Sequence, residues 1–298
     1  MKSIHSFMVL IFGIGLVAQS LSAGILREHL KEDDAEKEAI VHQNIRLVSN
    51  VPYGKNSKER FDVYMPSHAV QNAPIIFMVH GGAWMIGDKK NQSVVENKVN
   101  YWVEQKGYIV VSMNYPMLPS TPVNEQLMEV AKALGAMQAQ CTSWGGDKNR
   151  VIVMGHSAGA HLIALLASSS SLYANNGITQ PIAAVFLDSA VMDTPTLMHA
   201  KHLRLYDRAF GNEPNYWQSL SPYHQLSTKR MPFLAVCSTK RDDSCPQAKS
   251  FLEKASGLGT QTLLIPMDLS HQDINMLLGK QEAYTTLVDD FLTHALIH

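Results

Sequence analysis

Short apolar runs alternate with longer amphipathic stretches along most of this chain. The continuous apolar run 74–80 (PIIFMVH) predicts a strand that is buried on both faces. Apolar side chains at helical spacing over 123–139 predict an amphipathic helix. Two strand-like segments separated by turn residues predict strands over 45–51 and 61–64. Further strands are predicted over 108–113, 151–154, 183–187, 233–236 and 262–265, and further helices over 94–105, 158–167, 247–254 and 282–298.

This alternation predicts an α/β fold in which a mostly parallel central sheet is flanked by helices, because helical crossovers join parallel neighbours. No repeat or linker divides residues 45–298, so we expect one catalytic domain. The longest interruption of the strand–helix rhythm predicts a small cap, inserted at about 189–230. Such a cap would lie over the carboxyl edge of the sheet, where open α/β folds bind their ligands.

The amino terminus predicts a secretory signal peptide over residues 1–23. A basic start precedes the apolar run 7–18, and small residues follow it at 20–23. The run is shorter than the roughly 20 residues of a membrane span, although an uncleaved anchor or a buried strand is an alternative. We therefore expect an exported chain, periplasmic or secreted, with no stable membrane span after cleavage. Residues 24–44 form a charged segment that we expect to pack loosely on the domain.

Charge and cysteine content narrow the range of functions. The 298 residues include 25 Lys and Arg against 26 Asp and Glu, which offers no electrostatic footprint for nucleic acid. Three cysteines without a C-x-x-C pair exclude a disulfide scaffold and a zinc ribbon. In an oxidising compartment Cys237 and Cys245 could form a disulfide, but buried thiols are an equally good interpretation. Cys141 is then left without a partner.

The chemistry centres on a G-x-S-x-G motif over 155–159 (GHSAG). It follows the apolar strand VIVM and precedes a helix rich in small residues, which is the context in which the motif carries a nucleophilic serine. The sharp turn needs glycine at both ends and lifts the serine hydroxyl above the sheet. We predict that Ser157 is the nucleophile.

A serine nucleophile needs a histidine base that is itself oriented by a carboxylate. Because these partners follow the serine in the order acid and then histidine, His271, in a short loop after a strand, is the predicted base. Asp242 is the first choice for the acid, since it follows the strand FLAVCS and precedes Pro246 by four residues. Asp243 and Asp188 remain open as alternatives.

The remaining site residues are expected around the two glycine-containing turns. Backbone N–H groups of Gly82 and Ala83, in the segment HGGAW, and of Ala158 are the predicted oxyanion donors. Trp84 and His156 are candidates for the wall of the substrate pocket, although a core role fits both. We expect no metal site, since no three-ligand cluster is visible in the sequence.

Five segments together resemble α/β-hydrolase esterases: HGGAW, NYPMLPS, GGDKNRVIVMGHSAGAH, RDDSCP and SHQDINMLLG. The resemblance is to the hormone-sensitive-lipase-like branch, and within it to the carboxylesterase and kynurenine-formamidase-like group. It covers residues 53 to the end, and implies a Ser157–His271–Asp242 triad and no cofactor. Cys245 departs from this pattern, because it stands where that branch often has Val.

These features predict a serine carboxylesterase that cleaves small-molecule esters, with short acyl or aryl groups, through an acyl-enzyme. An amidase or arylformamidase with the same triad is the alternative. A non-catalytic binding protein of this fold is a further hypothesis, disfavoured by the complete set of candidate residues.

Overall fold

The computed structural model describes residues 44–297. The predicted signal peptide over 1–23 and nearly all of the charged segment over 24–44 lie outside the described residues. Within them, no helix is both long and apolar enough to cross a membrane.

Eight strands form one mostly parallel sheet, as the sequence predicts. They are β1 (Ile45–Pro52), β2 (Arg60–Pro66), β3 (Ala73–Val79), β4 (Ile109–Met113), β5 (Gly146–His156), β6 (Ala183–Leu187), β7 (Phe233–Ser238) and β8 (Thr262–Met267). Their order across the sheet is β1-β2-β4-β3-β5-β6-β7-β8. Only the pairs β1–β2 and β2–β4 are antiparallel. The six strands β3 to β8 are therefore parallel to one another, and their carboxyl ends lie at one edge of the sheet.

Helices cover both faces of this sheet. They are α1 (Gln92–Lys98), α2 (Val123–Gln140), α3 (Ala158–Ser168), α4 (Ser170–Asn175), α5 (Thr194–His199), α6 (Arg204–Phe210), α7 (Pro214–Ser219), α8 (Pro222–Gln225), α9 (Ser244–Gly257), α10 (His271–Met276) and α11 (Glu282–Ile297). The helix predicted over 94–105 is in two parts, because α1 continues as a π-helix over Val99–Gln105. Helices α5 to α8 lie between β6 and β7, in the region expected to form the cap.

The hydrophobic core has two layers, one on each side of the sheet. Along β3 every residue is buried, and successive side chains enter opposite layers. Ile75, Phe77 and Val79 pack on the side of α2, α3 and α9. Ile76 and Met78 pack on the side of α1 and α11. Burial on both faces explains why this strand is a continuous apolar run in the sequence.

Candidate active site

Ser157 lies in the sharp turn between β5 and α3. Its φ angle is 55°, in the left-handed region that L-residues rarely adopt. The flanking glycines permit this turn, since a Cβ on Gly155 would meet the backbone of Gly159, and one on Gly159 would meet the carbonyl oxygens of Val79 and His80. The serine is only partly buried. A strained, half-exposed serine at a strand–helix junction is the arrangement that a nucleophile requires.

Three side chains form a continuous hydrogen-bonded series at the carboxyl edge of the sheet. The Ser157 hydroxyl lies 2.9 Å from Nε2 of His271, the first residue of α10. The opposite ring nitrogen, Nδ1, lies 2.5 Å from Oδ2 of Asp188. The sequence predicts the serine and the histidine of this series, and names Asp188 only as an alternative acid.

The choice of Asp242 as the acid is wrong in this structure. Asp242 is exposed in the loop after β7, whereas Asp188, directly after β6, is completely buried and contacts His271. The end of β7 and the start of α9 instead supply hydrogen-bond donors to Asp188. Oδ1 accepts hydrogen bonds from the Ser238 N–H, at 2.7 Å, and from the Ser244 hydroxyl. Asp243, the other alternative, pairs with Arg241 at 3.1 Å.

These contacts keep Asp188 ionised. Burial alone raises the pKa of its carboxyl, but hydrogen bonds from His271, Ser244 and Ser238 and the charge of Arg241 outweigh burial. The pKa of Asp188 is consequently held well below its usual range. An ionised carboxylate at 2.5 Å requires a proton on Nδ1 of His271. Nε2 is then free to accept the proton of Ser157, which is the tautomer that a general base needs.

The loop predicted to bind the oxyanion lies beside Ser157. A Cβ on Gly81 would lie 2.9 Å from the Cβ of Ser157, so only glycine allows this approach. Gly82 and Ala83 have φ angles of 119° and 52°. Their N–H groups donate to no other group within residues 44–297. Ala158 is the first residue of α3, where a helix leaves N–H groups unpaired. Their role as oxyanion donors stays a prediction.

Trp84 and His156, the candidates for the pocket wall, are both buried. The Trp84 ring packs edge-on against His161 and Phe210. His156 Nε2 donates to the backbone oxygen of His271 at 2.9 Å, and burial together with the His271 ring lowers the pKa of His156 to about 3. A place for either side chain in a pocket wall stays a prediction.

A disulfide joins Cys237 to Cys245 and closes the loop that contacts Asp188. The structure thus decides between the two interpretations of these cysteines, and it leaves Cys141 as a buried free thiol. Within the described range 44–297, no three His, Cys, Asp or Glu side chains are grouped as metal ligands would be.

The amino-acid sequence of this chain is similar to those of known proteins. Residues 61–255 match the family model BD-FAE. The matched range includes Ser157 and Asp188 and ends before His271. Kynurenine formamidase of Salmo salar is 28% identical over 217 residues, which cover 70% of this chain and 69% of that protein. Esterase LipQ of Mycobacterium tuberculosis is 28% identical over 221 residues, and the match spans 68% of this chain but only 50% of LipQ.

Solved structures show the same fold. Esterase B from Lactobacillus rhamnosis superposes with a TM-score of 0.69 at 19% identity, covering 95% of this chain and 93% of that one. A truncated carbohydrate esterase from gut microbiota gives a TM-score of 0.73 at 15% identity, covering 85% of this chain and 97% of that one. The predicted fold class, an α/β hydrolase, is confirmed.

Proposed function

This chain belongs to the BD-FAE family, and on that premise we propose that it is a serine hydrolase that cleaves carboxylic esters through an acyl-enzyme. The observation that carries the proposal is the hydrogen-bonded series from Ser157 through His271 to Asp188. Such a series converts a weak hydroxyl nucleophile into a reactive one. Esterases among the similar proteins support the choice of ester substrates.

The reaction follows from which atoms can accept the proton. Nε2 of His271 takes the proton of Ser157 as the serine oxygen bonds to the substrate carbonyl carbon. Asp188 holds the imidazole and stabilises its positive charge. The bond from the carbonyl carbon to the leaving oxygen then breaks, and the imidazolium gives its proton to that oxygen, which leaves as the alcohol. A water molecule, deprotonated by the same nitrogen, then attacks the acyl carbonyl carbon. The bond from that carbon to the serine oxygen breaks, the acid leaves, and the imidazolium returns its proton to Ser157.

We assign stabilisation of the oxyanion to the N–H groups of Gly82, Ala83 and Ala158. Donors fixed by backbone geometry need no reorganisation as charge develops on the carbonyl oxygen, so they stabilise the transition state more than the substrate. The close approach of Gly81 to Ser157 supports this assignment, since it brings the loop alongside the reacting carbonyl.

We propose that the substrates are small esters with short acyl or aryl groups. A cleft of about 540 Å³ is lined by Met85, Leu118, Pro119 and Arg208. Met85 lies in the turn that follows Gly82, and its N–H donates to the Gly82 carbonyl oxygen. The cleft is mostly apolar and falls within the usual size range of small-molecule sites, about 300–1,000 Å³.

The direct test is hydrolysis of p-nitrophenyl esters, from acetate to palmitate, by wild-type protein and Ser157→Ala. We expect activity to be greatest for acyl groups of two to six carbons, and to fall by several orders of magnitude in the variant. Ser143→Ala, which removes an exposed hydroxyl after α2, is the matched control. Activity that persists in folded Ser157→Ala would refute the serine mechanism.

A formamidase is the second candidate, because kynurenine formamidases are among the similar proteins. The triad described above cleaves an N-formyl amide by the same steps, with an amine as leaving group. Matched aryl ester and N-formyl aryl amine substrates, assayed with one preparation, separate the two by their kcat/KM. No turnover of either class by the folded chain would favour the non-catalytic binding hypothesis.

We propose that the mature protein is exported. The amino-terminal pattern over 1–23 supports this, as does the Cys237–Cys245 disulfide, since such bonds persist in oxidising compartments. Amino-terminal sequencing of the extracytoplasmic fraction should find a chain that begins within a few residues of Ala23. An uncleaved, cytoplasmic chain would contradict the proposal.

A further inference from the structure

Arg241 occupies an unusual position beside the acid–base pair. It lies in the disulfide-closed loop after β7, with its side chain 23% exposed. Its Nη1 is 2.9 Å from Oδ2 of Asp188 and also 2.9 Å from Nδ1 of His271. Its Nη2 lies 3.1 Å from Asp243. The guanidinium thus contacts the acid, the base and a second carboxylate.

The position of the proton on His271 determines which of the contacts of Arg241 are hydrogen bonds. Nδ1 of His271 carries a proton because it donates to the ionised Asp188, so it has no lone pair for an arginine N–H. The 2.9 Å approach between Arg241 and His271 is therefore not a hydrogen bond. Instead, both residues donate to the same Asp188 oxygen, Oδ2, and a permanent positive charge stands next to the imidazole.

That charge opposes protonation of the imidazole. When His271 takes a proton from Ser157 or from solvent, its positive charge forms beside the guanidinium, and like charges at this distance disfavour each other. The other groups that face His271 are Asp188, the buried neutral His156, whose ring lies 4.6 Å away, and Asp243 beyond the guanidinium. On α10 itself, Asp273 hydrogen-bonds Ser270, and the buried amine of Lys98 from α1 donates to Asn275 of the same helix. Tyr206 from the cap is also near Arg241: burial raises the pKa of Tyr206, and the charge of Arg241 partly offsets that rise.

We propose that Arg241 is a positioning residue of the triad, which orients Asp188 and whose charge keeps His271 unprotonated, and so active, at more acidic pH. This inference rests on the proposed serine mechanism. Recognition of an anionic substrate is a poorer explanation of Arg241, because two carboxylates already occupy its guanidinium.

The test is the pH dependence of kcat/KM, measured on a neutral p-nitrophenyl ester from pH 5 to 9. In Arg241→Gln we expect the acid limb to move upward by about one pH unit, at the lower end of what a charge within about 4–6 Å produces. Arg241→Lys keeps the charge and should return the limb toward wild type. Lys240→Gln removes the same charge one residue earlier, where the amine faces Asp268 at 3.7 Å, and should leave the limb unchanged.

Asp243→Asn provides a test of opposite sign that does not remove the arginine. With one counter-charge fewer, Arg241 should oppose protonation of His271 more strongly, and the acid limb should move downward. An unshifted limb in both Arg241→Gln and Asp243→Asn, with only kcat reduced, would overturn the proposal. A change confined to KM for anionic esters would instead identify Arg241 as a substrate-binding residue, which also overturns it.

Failure of the proposed function can be distinguished from failure of this inference. If the wild-type chain hydrolyses no ester or amide, the proposed function fails. NMR titration of the His271 ring, assigned by comparison with His271→Gln, still reports the effect of Arg241 without any turnover. An imidazole that titrates at the same pH in wild type and Arg241→Gln would refute the inference by itself.

Discussion

The two halves of the site are held in place by different means. In the nucleophile region, residues 80–86 and 155–159, backbone packs closely against backbone, and glycines allow the approach. In the acid region, Asp188 with the loop 238–244 and helix α10, polar side chains converge on one carboxylate. The first arrangement depends on shape, whereas the second depends on charge and on protonation.

This difference determines how each region should respond to change. Extra volume in the nucleophile region displaces backbone that carries the reacting groups. Loss of a donor in the acid region leaves a buried charge without its partner, which costs more than a typical hydrogen bond contributes. Added volume should therefore lower activity most beside Ser157, and the loss of a charge or a donor should lower it most around Asp188.

The largest effect is expected at Asp188. Asp188→Asn should lower kcat/KM by about 10³- to 10⁴-fold, because an amide holds the imidazole in the wrong tautomer. Asp242→Asn, in an exposed side chain of the neighbouring loop, is the matched control and should stay within about twofold of wild type. A deeper loss in Asp242→Asn than in Asp188→Asn would return the role of acid to Asp242.

In the nucleophile region, Gly81→Ala is the sharpest probe. The added methyl group would lie 2.9 Å from both the Ser157 Cβ and the His156 carbonyl oxygen, so the serine or the loop must shift. We expect kcat/KM to fall by about 10- to 100-fold, since misplacement of reacting groups by less than about 1 Å has effects of this order. Gly257→Ala adds a methyl group in open space and should have no effect. Unaltered activity in Gly81→Ala would show that the loop tolerates volume.

The same contrast explains how much of the site could be predicted from the sequence. The turn around Ser157 is specified within five residues, so the motif over 155–159 and its flanking strand and helix are enough to predict it. His271 follows from its place after the last strand. Asp188, however, is selected by donors that lie far along the chain, at sequence separations of 50 and 56 residues for Ser238 and Ser244. The spacing from Asp242 to Pro246 is a local pattern, and it led to the wrong acid.

For the fold, continuous buried apolar runs predict the central strands β3, β4, β6 and β7. The edge strand β1 has no buried residue and was predicted from its strand-like segment next to turn residues. The family resemblance is confirmed. The sequence did not indicate that β5 begins at Gly146, ahead of the predicted 151, because the polar residues there are not an apolar run. Nor did it decide between a thiol pair and a disulfide at Cys237 and Cys245. Loop curvature decides that choice, and an eight-residue spacing permits both.

The disulfide supports the acid region through the loop 238–244. Replacing Cys237 and Cys245 together by Ala should lower the free energy of unfolding by about 2–3 kcal/mol, the value expected for a loop of this length. Urea unfolding with and without dithiothreitol measures it, since the reductant should destabilise wild type and leave the variant unchanged. Equal stability of the two proteins under oxidising conditions would show that side-chain contacts alone hold the loop.

The smallest expected effect is at Lys98, whose buried amine contacts α10. It tests whether the protonation state of this amine affects the free energy of unfolding. Its buried amine donates to the carbonyl and side-chain oxygens of Asn275, at 2.7 and 2.9 Å, and burial lowers the pKa of Lys98 to about 7. Between about pH 7 and 10 the unfolded chain therefore binds a proton that the folded chain has released, so this group makes stability rise with pH. Below pH 7 both states are protonated and its contribution is constant.

Lys98→Met removes this titration while keeping most of the buried volume. The free energy of unfolding of wild type minus that of Lys98→Met should rise by about 1 kcal/mol per pH unit between pH 7.5 and 9.5, near the limit for one proton. Lys106→Met is the control, because hydrogen bonding to Asp289 raises the pKa of Lys106 and places its titration above this range. Parallel pH profiles for wild type and Lys98→Met would mean that the amine stays charged beneath α10. A buried ammonium group would then be stable next to α10 with only the oxygens of Asn275 as partners. In the acid region, Asp188 would then be the one buried group that needs an oppositely charged partner.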